Sequence, residues 1–109
     1  MIVTLRLLYA AIFLVMIAVT TWAASQENIL KIPPVVLNDV WFKATLFDAY
    51  FAFLSFYLWV CYREKTILWK VFWFFAIVFL GNIAMSVYVL KALQRLKPGE
   101  GPAQLLARP

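Results

Sequence analysis

The residue that could do chemistry is a carboxylate in an unusual place. In "ATLFDAYFAFLSFYLWVCY", from Ala44 to Tyr62, Asp48 is the one charged side chain. An ionised acid at membrane depth costs at least several kcal/mol unless it is paired or watered. Three chemistries resolve that cost: a neutral acid held by hydrogen bonds, a salt bridge, or a wet cavity acting as a proton or cation relay. A relay needs more ionisable groups in line. The other long apolar runs, Leu7 to Gln26 and Val71 to Leu90, contain no acid or base, and Tyr50, Tyr57 and Tyr88 titrate too high to serve. The structural reading is therefore preferred. Counted from one membrane face, Asn82, Ser86, Thr20 and Thr21 fall at the depth of Asp48, and Thr45 lies one turn away on the same helix. A buried polar cluster of Asp48, Asn82, Ser86, Thr45, Thr20 and Thr21 is expected, each bond worth about 0.6 and up to about 2 kcal/mol. A contact from Asp48 to a partner subunit or a lipid-soluble ligand is the remaining option.

Spacing supports a seam between helices. Thr45, Asp48, Ala52, Ser55 and Trp59 recur at i, i+3, i+4 and form one small-and-polar stripe. Asn82 and Ser86 are four apart, with Gly81 and Met85 beside them. Small residues let membrane helices approach, and polar ones bond across them. Phe47, Phe51, Phe53, Leu54 and Leu58 then turn toward lipid or a partner.

Other chemistries find no residues. The chain has no histidine, which excludes histidine-ligated haem, pigment or metal and removes the commonest general base. Cys61, the single cysteine, can form neither an internal disulfide nor a thiolate cage, and it reads as a small apolar filler. With no paired acid and base, no catalytic residue, metal or cofactor is expected, nor an enzyme of any kind. The net charge of +5 does not imply nucleic acid. Arg6, Arg63, Lys65, Lys70, Lys91, Arg95 and Lys97 sit at the ends of apolar runs, where they reach for lipid headgroups. No soluble small-molecule substrate is indicated.

The elements that carry these residues follow from composition. The 109 residues are 66% hydrophobic and 14% charged, against about 45–50% and about 25% for soluble domains. About 20 apolar residues cross a hydrocarbon core of about 30 Å. The reading is an all-α membrane protein with three transmembrane helices at about 4–24, 40–62 and 67–93, forming one bundle over 1–97. The first apolar run exceeds the length of a secretory leader's core, so it is taken as a retained span. Pro33-Pro34 breaks the connection after it. Asn38 or Asp39 is placed to cap the second helix. The short link "REKT" forces helices 2 and 3 into a tight antiparallel hairpin. Pro98, Gly99, Gly101 and Pro102 leave 98–109 as an irregular tail, disordered if alone in water. Trp22, Trp41, Trp59, Trp69 and Trp73 fall at span ends and read, with Arg63 and Lys65, as interfacial anchors. Charge does not orient the three-span layout, which puts five positive groups on each side, counting the terminal amine.

"DVWFKATLFDAYFAFLSFYLWVCYRE" followed by "VFWFFAIVFLGNIAMSVYVL" resembles a family of small three-helix membrane proteins of unknown function, bacterial with plant relatives. Trp41, Thr45, Leu46, Asp48, Tyr50, Trp59, Tyr62, Arg63, Glu64, Leu80, Gly81 and Asn82 match its pattern. The resemblance covers 39–90 and implies three membrane helices and a bacterial inner-membrane location, with no activity attached.

The expected role is a non-catalytic accessory or assembly subunit of a larger membrane complex, respiratory or photosynthetic complexes being natural hosts. Its partners would be membrane lipids and other transmembrane subunits. An oligomeric small-solute or proton-coupled transporter using Asp48 is the alternative. Half of a split isoprenoid cyclase ranks lower, because the Pro-x-Glu-Glu or Pro-x-Glu-Asp motif is missing.

Overall fold

Helix α1 runs from Ile2 to Gln26, a stretch with neither proline nor glycine to break it. Every α1 side chain is at least partly exposed. A helix apolar all round must be surrounded by something apolar. The computed structural model describes residues 1–107, and Arg108 and Pro109, which end the expected tail, lie outside the described residues.

The connection after α1 is built from short turns. Asn28 accepts the Leu30 N–H through its side-chain oxygen at 2.9 Å and starts a 3-10 turn over Ile29–Lys31. Pro34 then opens α2, Pro34–Leu37, at the position where its missing N–H is harmless. Asp39 caps α3, Val40–Arg63, its carboxylate accepting the Phe42 N–H at 3.0 Å. Thr66 opens α4, Ile67–Leu80, accepting the Trp69 N–H.

Helices α3 and α4 run back along each other. The Tyr57 hydroxyl donates to the Lys70 carbonyl at 2.8 Å, and Tyr50 donates to the Val78 carbonyl at 3.3 Å. The expected third span over 67–93 is corrected here. It is not one rod but two helices, α4 and α5, the second running Asn82–Gln94. At the joint Gly81 takes φ +56 and ψ −123, a conformation closed to residues with a Cβ. Trp73 and Tyr88 would stand about 22 Å apart along a straight helix. Their ring centroids are 4.9 Å apart, so α5 folds back on α4. At 14 residues α4 is about 21 Å long, short of the roughly 30 Å of a bilayer core. Two helices, α1 and α3, are long and apolar enough to cross a membrane.

Helix α5 is the centre of the molecule. One side of it, Ala84 and Tyr88, joins Val60, Trp73 and Ile77 in a buried cluster with α3 and α4. The other side, Val89, Ala92 and Leu93, joins Ile2, Leu5 and Tyr9 of α1. Arg6 donates to the Leu93 carbonyl at 3.3 Å, a second donor beside the Leu96 N–H on that last-turn carbonyl. The tail also departs from expectation. Pro102–Leu106 is a short helix, α6, and Leu105 is buried against Val89, Ala92 and Leu93.

Candidate functional site

The expected cluster around Asp48 is not assembled within the chain. Asp48, Thr45, Thr20, Thr21 and Asn82 are all exposed, and Ser86 alone is buried. The two hydroxyls with bonds turn to their own helices. Thr45 donates to the Trp41 carbonyl at 2.8 Å and Ser86 to the Asn82 carbonyl at 2.6 Å. The physical reason is the fold at Gly81. It turns α5 away from the line of α4 and lays it between α1 and α4, so Asn82 and Ser86 are not carried past Asp48. Among the described residues no donor stands within hydrogen-bond distance of the Asp48 carboxylate. Of the stripe, Thr45, Asp48, Ala52 and Ser55 face outward, while Trp59 at its end is half-buried against Phe56 and Tyr88.

The polar chemistry lies at the other end of α3. The fold at Gly81 gathers there the start of α1, the end of α3, the start of α4, the end of α5 and all of α6. Arg63, expected at the headgroups, is 5% exposed. It donates through Nη1 to the Leu105 carbonyl. Its guanidinium carbon stands 5.3 Å from the Trp59 ring centroid and 5.8 Å from that of Tyr88. Trp59 donates through Nε1 to the Leu106 carbonyl at 3.1 Å. Two side chains of α3 thus hold the last carbonyls of α6, which no further turn of helix can satisfy.

Three of the five expected interfacial tryptophans are part of this site. Trp73 is buried and meets Tyr88 edge to face, as Trp59 does at 5.4 Å. The Lys91 ammonium lies 5.5 Å from the Trp69 ring and 5.8 Å from the Trp73 ring. An ammonium or guanidinium over an aromatic face contributes about 0.5–1 kcal/mol when exposed and about 2 when desolvated. Trp22, Trp41 and Lys65 remain exposed, as anchors would be. Arg63 and Trp73 do not, because the docked α6 and the returning α5 cover them.

The site was partly readable. Pro102 ahead of a Leu-Leu pair is a helix start signal, and Lys91 and Arg95 are four apart and so share one face. What brings that face to Trp69 and Trp73 is Gly81-Asn82, a turn signal in the middle of an apolar run. Among the described residues no group of three or more histidine, cysteine, aspartate or glutamate side chains stands together.

The family described as "Protein of unknown function (DUF1475)" matches residues 1–107. The chain belongs to that family. Nothing in the family's description assigns a reaction, a ligand or a partner, in line with the resemblance to a family of unknown function. Neither a curated protein nor a solved structure matches this DUF1475 chain.

Proposed function

We propose that this chain is a non-catalytic accessory or assembly subunit of a larger complex in the bacterial inner membrane, respiratory and photosynthetic assemblies being candidate hosts. The observation that carries the reading is the outward-facing carboxylate of Asp48. It lies two turns inside α3, beside exposed Phe47, Phe51 and Leu54, and has no partner among the described residues. Left against acyl chains it would cost at least several kcal/mol. A donor on another transmembrane subunit removes that cost, and Ala52 and Ser55 leave room for close approach.

Mild-detergent purification with mass determination tests this. A heteromeric assembly that Asp48→Leu disperses, while the subunit itself melts as before, supports the proposal. A homo-oligomer with pH-dependent uptake abolished by Asp48→Asn would replace it with the transporter reading. A lone monomer in every mild detergent rejects both. Asp48→Asn should leave the stability of the isolated chain within about 0.5 kcal/mol, since an exposed side chain without partners contributes little. A larger drop in thermal unfolding would show an internal partner.

The topology proposed with this role has two crossings, α1 and α3, and a re-entrant hairpin made of α4 and α5. It separates the charges that a three-span layout leaves tied. Arg6, Arg63, Lys65, Lys70, Lys91, Arg95 and Lys97 lie toward one end, and Lys31 and Lys43 toward the other. An excess of Lys and Arg marks the cytoplasmic side. Reporter fusions at both termini should therefore report the cytoplasm, and a tag placed at Gln26–Asn28 the opposite face. Opposite locations for the two termini would restore a third crossing and defeat the hairpin.

A further inference from the structure

The gathered end of the bundle holds a half-open cavity of about 210 Å³. Its walls carry three cations, Arg63, Lys91 and Arg95, and one carboxylate, Glu64, with Trp73 and Tyr88 behind them. Arg63 and Tyr88 are 5% and 4% exposed, and the Tyr88 hydroxyl is closed off from solvent beside the charges of Glu64 and Arg63. The excess of positive charge calls for an anion.

We propose that this cavity is a binding site for a phosphate group. Lys91 and Arg95, both exposed, supply donors and charge for phosphate oxygens from one face of α5, and the Arg63 guanidinium adds charge from the wall behind them. Trp73 and Trp69 hold the Lys91 ammonium by its attraction to their rings, which sets it at the cavity in advance. The volume lies below the about 300–1,000 Å³ of sites for drug-sized ligands, so a single phosphate group with a small substituent fits. Two sources offer that chemistry: the headgroup of an anionic phospholipid, whose phosphate lies at the depth of a span end, and free phosphate. The inference stands independently of the subunit reading, which rests on Asp48.

The test uses the full chain in nanodiscs of phosphatidylcholine alone or mixed with phosphatidylglycerol, and in detergent with inorganic phosphate. Tryptophan fluorescence follows Trp59, Trp69 and Trp73. Saturable change with phosphatidylglycerol, weakened roughly tenfold or more by Lys91→Gln with Arg95→Gln, supports a lipid headgroup; one hydrogen bond to a charged group is worth about 1.5–3 kcal/mol. The same pattern with inorganic phosphate supports the free ion. Lys65→Gln with Lys70→Gln removes as much charge from the same end but away from the cavity, and should leave binding unchanged. Equal losses in the two double variants, or no saturable response to either probe, would overturn the assignment.

Discussion

Replacing Gly81 with alanine should destabilise the protein by more than about 2 kcal/mol. Two independent costs combine at this position. The backbone conformation, φ +56 and ψ −123, costs a residue with a Cβ about 1–3 kcal/mol. The added methyl would also stand 3.0 Å from the Phe53 ring, and Phe53 is held edge to face by Tyr50 at 5.3 Å, so the ring cannot swing away freely. Alanine moreover favours a continuous helix over glycine by about 1 kcal/mol, which biases the chain toward the straight rod that the turn prevents. Gly99 supplies the control. It too has a positive φ, of 88°, but a Cβ there meets nothing within 4 Å, so Gly99→Ala should cost the backbone strain alone. Thermal unfolding in detergent should rank Gly81→Ala well below Gly99→Ala and the native chain. If the Gly81 variant melts with the native protein, α4 and α5 are a single helix and the hairpin is wrong.

What the sequence concealed turns on the same glycine. Residues 71–90 carry no charge, and a long uncharged run fits one crossing as well as two half-length helices, since hydropathy reports depth and not direction. Gly81 in such a run reads as room for a neighbouring helix, while its role is to reverse the chain. The elements with local causes were legible. Asp39 caps α3 as its position suggests, Pro34 starts a new turn, and α1 and α3 extend close to their expected limits. The side-chain cluster was not legible, because it depends on which ends meet. With Lys91 assigned to the far membrane face, nothing could relate it to Trp69 and Trp73, and Arg63 read as one more basic residue at a helix end. The tail departs from its composition for a related reason. Its composition is that of a disordered segment, but Leu105 and two free carbonyls find partners in tertiary structure that no local pattern encodes.

Replacing Arg63 with alanine should release that tail. Three losses coincide at one side chain. The Leu105 carbonyl loses its donor, at about 1–3 kcal/mol for a buried group left unpaired. The guanidinium no longer lies over Trp59 and Tyr88. The aliphatic stem that fills the space between α3 and α6 is removed as well. Relief from burying a charge opposes these terms, which is why Arg63→Lys is the sharper companion. It keeps the charge but lacks a planar group that can lie against two rings while donating to a carbonyl. Trp59→Phe keeps an aromatic ring beside Arg63 and Tyr88 but loses the bond to Leu106, and should have the mildest effect. The segment from Lys97 to Gly101, between α5 and α6, reports the outcome. Cleavage there by a glutamyl endopeptidase, after Glu100, requires α6 to lift, and when lifting is fast the rate follows the population of the open form. A loss of about 1.5–3 kcal/mol in docking corresponds to cleavage after Glu100 that is roughly tenfold to a hundredfold faster. Arg63→Ala and Arg63→Lys should both fall in that range, with Trp59→Phe below it. Unchanged cleavage in both arginine variants would mean that α6 is held by Leu105 alone, and that Arg63 is buried for the sake of the cavity beside it.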